Sequence, residues 1–252
     1  MTAPADAVFF EDRPAAMVVS HERSGTHFMM NTLAKCYGYL SDPWVNLDPQ
    51  DGTINYFHPP SIRDHLLGLA TRPLATVIKS HHQAEFFRGE LSRICERYVV
   101  VVIHRNPVDT LLSFWRFLHR LEWFEGPKVD DPLALARAEP CGSMLRYQTR
   151  QYPTIMHRWA AHVDGWLTAA RDIPRVVTVR YEDLGSRYEE TVRGLAGVLG
   201  RPPQSFEIPD REESVVPGGP RDPTGRGQSP DLAALYQLCR ATVGETMDRC
   251  GY

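Results

Sequence analysis

The sequence predicts a three-layer α/β/α fold with a central, mainly parallel sheet. Two observations lead to this prediction. Apolar runs that suit buried strands alternate with stretches of helical periodicity. The clearest run, Tyr98-Val-Val-Val-Val-Ile103, is continuously apolar and rich in β-branched residues, which is typical of a parallel strand covered on both faces. We therefore expect a single domain over residues 1–252.

Four apolar runs are predicted as strands. They are Met17–Val19, Ala75–Lys79, Tyr98–Ile103 and Arg175–Val179. Each stops at a polar turn, and the carboxyl ends of parallel strands lie at one edge of the sheet, where ligands of such folds bind. The polar residues that follow these strands are therefore expected to meet there.

Helical patterns follow most of these strands. Asn106 suits a helix N-cap and Pro107 the first helical position, so we expect a helix from there to Leu118. Apolar residues from Ile155 to Ala170 follow one face of a long amphipathic helix. Further helices are predicted over residues 28–37, 83–98, 189–199 and 231–249, and residues 122–151 are expected to form loops and small helices.

Two segments are expected to be long loops or lids. Residues 41–72 are rich in Pro, Asp, Asn and His, and residues 201–230 contain seven prolines and four glycines. Long connections inside a domain often cover a functional site. Their alternative role is to lead the chain over the surface to the next element.

The composition excludes several classes of protein. Lys+Arg of 28 against Asp+Glu of 31 gives no general nucleic-acid or acidic-membrane footprint. The five cysteines include no Cys-x-x-Cys pair, which argues against a disulfide framework and a zinc site and favours a reducing compartment. The longest apolar run is too short to span a bilayer. We expect a cytoplasmic protein without a metal site.

The turn after the first strand predicts an anion site. Ser24-Gly25-Thr26 forms a small-residue turn at the start of a helix, whose free N–H groups and positive dipole end favour an anion. Arg23 adds a cation beside these donors. The turn lacks the second glycine and the lysine of a Walker A loop, so it does not encode a typical NTP site.

Short motifs at four strand ends resemble those of the sulfotransferases that depend on 3′-phosphoadenosine 5′-phosphosulfate. They occur in that family's order and extend from Met17 to Leu184. The motifs are Arg23-Ser-Gly-Thr26, Lys79-Ser-His81, Arg105-Asn-Pro-x-Asp109-x-x-x-Ser113 and Arg180-Tyr-Glu-Asp-Leu184. The resemblance implies a fold like that of the P-loop NTPases and a transferase that needs no metal.

The resemblance also implies a role for each motif. The loop of Arg23, Ser24, Gly25, Thr26 and His27 corresponds to the site of the 5′-phosphosulfate. Arg105 and Ser113 correspond to the 3′-phosphate site, and Tyr181 to a position near the adenosine. Arg23 replaces the family's usual Lys, and His27 replaces a common Thr.

The late cofactor element of the family is not present in clean form. Arg221 and Arg226 are the candidates for its arginine, and both remain open.

His81 is the expected general base. An imidazole with an ordinary pKa of ~6.5 can take a proton from a hydroxyl or amine at neutral pH. Lys79 and Arg23 are expected to offset the charge that develops during transfer. The acceptor is expected to be a small molecule or glycan. Aromatic residues that suit a flat or apolar acceptor, or that simply anchor loops, are Tyr56, Phe57, Trp115, Trp123 and Phe124.

Two other functions remain as alternatives. The first is a P-loop-type kinase or other NTP phosphotransferase, which the absent Walker lysine disfavours. The second is a nucleotide-binding module without catalysis, which the Lys79-Ser80-His81 segment disfavours because binding alone has no need of a base.

Overall fold

The structure is a computed structural model that describes residues 13–47, 58–72, 75–210 and 231–252. In this part of the chain, strands form a five-stranded sheet of order β2-β3-β1-β4-β5 in which every neighbouring pair is parallel. The strands are β1 (Ala15–Ser20), β2 (Leu40–Asn46), β3 (Thr76–Ser80), β4 (Tyr98–His104) and β5 (Val176–Arg180). The predicted parallel sheet is confirmed.

Helices follow the strands along the chain. They are α1 (Thr26–Tyr37), α2 (Pro59–Leu69), α3 (Ala84–Phe87), α4 (Leu91–Ile94), α5 (Pro107–Arg120), α6 (Pro132–Arg137), α7 (Ile155–Asp172), α8 (Tyr181–Ser186), α9 (Tyr188–Gly194), α10 (Ala196–Leu199) and α11 (Leu232–Cys250), with short 3₁₀ helices at Arg88–Glu90 and Gly142–Tyr147. No helix in the described ranges is long and apolar enough to cross a membrane.

The two faces of the sheet bury different side chains, as a period of two requires. Met17 and Val19 belong to one apolar cluster, with α2, α3, α4 and Trp166 of α7. Ala16 and Val18 belong to the opposite cluster, with α1 and the α8–α10 segment. This arrangement confirms the three layers and explains why β4, the predicted central run, is buried along its whole length.

The interpretation of residues 41–72 as a long loop was wrong. β2 occupies Leu40–Asn46 and α2 occupies Pro59–Leu69, while residues 48–57 lie outside the described part. β2 lies at the edge of the sheet, where a strand tolerates a proline such as Pro43 because one of its sides needs no partner. Because this strand contains polar residues, its sequence lacks the apolar pattern that predicts a strand.

The long helix α11 departs slightly from its predicted pattern. Leu235, Cys239 and Met247 are buried, but Leu232 is 52% exposed in the first turn. Val243 has non-helical dihedrals (φ −136°, ψ 26°), so the helix is kinked there. Buried residues nevertheless continue through the kink, from Leu235 to Cys250.

Candidate functional site

The turn between β1 and α1 leads into a helix that no side chain caps at its N-terminus. Gly25 is the N-cap of α1 with a left-handed backbone (φ 102°), and no side chain caps the helix. The Ser24 N–H donates to the His21 carbonyl at 3.2 Å, which closes the turn. Because the first N–H groups of a helix lack intrahelical partners, those of α1 are available to an anion. The Ser24 Oγ atom is also buried without a hydrogen-bond partner.

Arg23 connects this turn to α5. Its Nε donates to Ser113 Oγ at 3.1 Å, and its guanidinium lies 4.8 Å from the centre of the Phe117 ring. Ser113 and Phe117 are one helical turn apart, so Arg23 lies along one face of α5. The structure thus brings together two predicted segments whose contacting residues are 90 positions apart in the sequence.

Tyr181 and Arg105 complete this side of the turn. The Arg105 guanidinium lies 4.5 Å from the centre of the Tyr181 ring. A Cβ atom added at Gly25 would lie 2.3 Å from Tyr181 Cδ2, so the ring packs directly against the glycine. A side chain at position 25 has no space there, which gives this glycine a steric role in addition to its positive φ.

A third guanidinium joins this cluster, and sequence reasoning missed it. Arg120 lies seven residues after Ser113 on α5, two helical turns along the same face. Burial, together with the charges of Arg120 and Arg105, lowers the pKa of Arg23. The Nε atoms of Arg105 and Arg120 are buried without hydrogen-bond partners. The seven-residue spacing from Ser113 could have indicated Arg120 from the sequence.

These three guanidinium groups are held without neutralising carboxylates. Among the residues that the structure describes, Arg23, Arg105 and Arg120 make no ion pair with Asp or Glu. Neighbouring cations repel one another, and partial burial strengthens that repulsion. An arrangement of this kind is stabilised when an anion binds.

His81 lies at the end of β3 beside the turn. Its Nδ1 is 2.9 Å from the Ser20 carbonyl oxygen, which can only accept, so Nδ1 carries the proton and Nε2 retains its lone pair. Ser20 Oγ also lies 2.6 Å from Thr26 Oγ1, which links the strand end to the start of α1. Burial and the charge of Lys79 lower the pKa of His81 to about 3. The ring is therefore neutral at neutral pH.

The neighbouring histidines have different surroundings. His82 packs against the Phe86 ring with centroids 4.2 Å apart, and its Nδ1 lies 2.9 Å from Ser80 Oγ. His27 lies on α1, where burial and the charges of Lys79 and Arg23 lower its pKa to about 4. His27 is thus a neutral ring between two cations of the site.

The remaining candidate residues are placed less completely. Arg221, Arg226, Tyr56 and Phe57 lie outside the described residues. Trp115 is half-buried and donates through Nε1 to the Val129 carbonyl. Trp123 and Phe124 are each 57% exposed. Within the described ranges, no group of three or more His, Cys, Asp or Glu side chains is arranged to hold a metal ion.

Comparison with known proteins identifies the family of the chain. A family model described as "Sulfotransferase domain" matches residues 13–216. Comparison with curated protein sequences gives no match. The chain therefore belongs to the sulfotransferase family, and the enzyme class is that of a sulfotransferase.

Solved structures of sulfotransferases have a similar fold. A crystal structure of retinol dehydratase in complex with androsterone and inactive cofactor PAP has a TM-score of 0.51 at 15% identity, covering 93% of this chain and 80% of that one. Mouse sulfotransferase SULT7A1 complexed with PAP has a TM-score of 0.49 at 15% identity, covering 96% and 68%. A sulfotransferase from Alicyclobacillus acidocaldarius has a TM-score of 0.48 at 16% identity, covering 94% of each chain.

Proposed function

We propose that this enzyme transfers a sulfuryl group from 3′-phosphoadenosine 5′-phosphosulfate to a hydroxyl or amine of a small-molecule or glycan acceptor. The observation that carries the proposal is the convergence of Arg23, Arg105 and Arg120, without carboxylate partners in the described part of the chain, beside the open N-terminus of α1. A donor with several negative charges matches such a site.

The donor's two anionic ends fit two parts of the site. The 5′-phosphosulfate suits the turn from Arg23 to Thr26, where no side chain caps the start of α1 and the buried Ser24 hydroxyl has no hydrogen-bond partner among the described residues. The 3′-phosphate suits Arg105, Ser113 and Arg120. Tyr181 offers an aromatic surface beside Arg105 for the adenosine. In this assignment Arg120 supplies charge that sequence reasoning sought in Arg221 or Arg226.

The chain's own side chains would then perform the acid–base chemistry. The acceptor's oxygen or nitrogen bonds to the sulfur while the bond between the sulfur and the donor's bridging oxygen breaks, so adenosine 3′,5′-bisphosphate leaves, and His81 takes the acceptor's proton at Nε2. Without bound donor, the low pKa of His81 makes the ring a weak base. The anionic oxygens of a bound donor would stabilise the imidazolium and raise the pKa of His81. Lys79 and Arg23 offset the negative charge that develops during transfer.

The exposed aromatic residues Trp123 and Phe124 suit a flat or apolar acceptor. The Tyr147 ring lies edge-on to His81 at 5.4 Å between centroids, and the Arg146 guanidinium lies over Tyr147. Arg146 binds Glu125, which also accepts from the exposed Trp123 indole. The Tyr147 ring is itself 2% exposed, so the aromatic surface open to an acceptor is that of Trp123 and Phe124, each 57% exposed.

A reducing, cytoplasmic setting stays a prediction from the cysteines. Each of the five is free, and all but Cys141 are buried. A reducing compartment is compatible with free thiols in such positions.

A thermal-shift comparison tests the donor assignment. A ligand that binds only the folded state stabilises it by about 2.7 kcal/mol at a hundredfold excess over its Kd. We expect adenosine 3′,5′-bisphosphate to raise the Tm and ATP with Mg²⁺ to leave it unchanged. The reverse pattern would favour a phosphotransferase. Stabilisation by the bisphosphate without turnover of any acceptor would favour a binding module.

Replacement of His81 tests the base. His81→Asn retains an N–H donor near the position of Nδ1 for the Ser20 carbonyl but removes Nε2. We expect bisphosphate affinity to stay within about twofold of wild type and sulfuryl transfer to fall by about 10²–10⁴-fold, the usual range for a general base. His119→Asn, at an exposed histidine of α5, is the matched control. Transfer by His81→Asn at the wild-type rate would reject the assignment.

A further inference from the structure

A buried ion pair holds the donor-binding turn on the side that faces away from Arg23. Arg158 of α7 is fully buried, and its Nη1 and Nη2 atoms donate to Glu22 Oε2 and Oε1 at 2.7 and 2.8 Å. Glu22 immediately precedes Arg23. Burial by itself would raise the pKa of Glu22. The charge and hydrogen bonds of Arg158, with smaller contributions from His21 and His81, outweigh burial and lower this pKa below its ordinary value. The two side chains therefore form a fully ionised, bidentate pair.

Every N–H of the Arg158 guanidinium has an acceptor. Besides Glu22, Nε donates to Gln148 Oε1 at 2.7 Å, Nη1 to His21 Nε2 at 2.9 Å and Nη2 to the Met144 carbonyl at 3.4 Å. Five donors in a rigid planar fork thus contact a single arrangement of neighbours. Lysine at this position could not reproduce that arrangement.

His21 extends this contact along the backbone of the turn. Because its Nε2 accepts from Arg158, its Nδ1 carries the proton and donates to the Glu22 carbonyl at 3.0 Å. Both His21 and Glu22 are therefore fixed by one side chain of α7. The next residue, Arg23, has a left-handed backbone with φ 67°, which is unfavourable for a residue other than glycine.

We propose that Arg158 and Glu22 are positioning residues that hold the donor-binding turn in its strained form, with the Arg23 side chain directed to Ser113. This inference rests on the proposed function, because it assigns the turn to the donor. A strained backbone conformation persists only where contacts with its surroundings hold it in place. The ion pair does so on one side of the turn, and the Arg23–Ser113 hydrogen bond does so on the other.

A role in stability alone does not account for this arrangement. Buried ion pairs often contribute little more to stability than apolar side chains of similar volume, while they specify one geometry. The geometry specified here is that of the residues directly before the anion site. Arg158 contacts neither the arginine cluster nor His81, so it acts through Glu22 and His21.

The test variant is Arg158→Lys, which keeps the charge opposite Glu22 and loses the fork. If Arg158→Lys does not fold, a second variant takes its place. It combines Glu22→Met with Arg158→Met and removes both buried charges at once, so neither is left unpaired. The control is Arg63→Lys, which alters a partly buried pair with Glu90 at 2.8 Å between α2 and the Arg88–Glu90 turn. Bisphosphate affinity is measured by calorimetry, KM for donor and acceptor by kinetics, and Tm by thermal unfolding.

We expect both test variants to bind adenosine 3′,5′-bisphosphate about tenfold more weakly or worse and to raise the donor KM, with the acceptor KM unchanged. Arg63→Lys is expected to lower the Tm without changing bisphosphate affinity. Wild-type affinity in a folded test variant would overturn the positioning role. Failure of the wild-type protein itself to bind the bisphosphate would instead reject the proposed donor site.

Discussion

Replacement of Gly25 by Ala is expected to damage the turn between β1 and α1 in two separable ways. Gly25 has φ 102°, and the new Cβ would lie 2.3 Å from Tyr181 Cδ2. An L-residue with such a backbone costs about 1–2 kcal/mol. Overpacking against the half-buried Tyr181 ring is expected to cost about 1–3 kcal/mol more. The sum is about 2–5 kcal/mol, a large part of the total stability of an ordinary domain.

Gly200 provides the matched control. It also has a positive φ, 68°, but a Cβ there would meet nothing within 4 Å. Gly200→Ala therefore measures the backbone strain without the clash, and we expect it to cost about 1–2 kcal/mol. The difference between the two variants reports the steric contact with Tyr181.

Urea unfolding measures both variants, and a double-mutant cycle with Tyr181→Ala isolates the contact. Removal of the ring relieves the clash but not the strain, so the coupling is expected to be about 1–3 kcal/mol. Gly25→Ala should also weaken bisphosphate binding, whereas Gly200→Ala should not. Equal destabilisation by Gly25→Ala and Gly200→Ala, together with a coupling near zero, would contradict a steric contact between position 25 and Tyr181.

Two further predictions concern the arginine cluster and the buried histidines. Arg120→Ala is expected to weaken the binding of adenosine 3′,5′-bisphosphate by about tenfold or more without affecting the binding of adenosine 5′-phosphosulfate. The control is Arg116→Ala, at an exposed residue of the same helix, which is expected to change neither affinity. Equal losses of affinity for both nucleotides in calorimetry would remove Arg120 from the 3′-phosphate site. Burial lowers the pKa of His21 and of His104 to about 4, so the unfolded chain binds more protons between pH 6.5 and 4 and stability is lost as the pH falls through that range. The loss is about 2 kcal/mol for each histidine at pH 5, and a Tm that stays constant from pH 7.5 to 5 would contradict it.

Much of the fold follows from local patterns in the sequence. The continuous apolar run of β4 predicts a central strand because only a strand covered on both faces needs no polar side chains. Asn106 and Pro107 predict the start of α5, and the Asn106 side chain indeed accepts from the Val108 N–H at 2.9 Å. β2 could not be predicted in this way, because an edge strand contributes little apolar pattern and tolerates proline.

The candidate site likewise contains residues that local patterns predict and residues that they do not. Parallel strands end at one edge of the sheet, so the residues that follow them, Arg23, His81 and Arg105, could be predicted as neighbours from local patterns. The distant side chains that complete the site could not be predicted in this way. Arg120 joins the cluster through the face of α5, and Arg158 reaches the turn from α7, 136 residues away from Glu22. Such contacts depend on how helices pack across the sheet, and no local pattern encodes that packing.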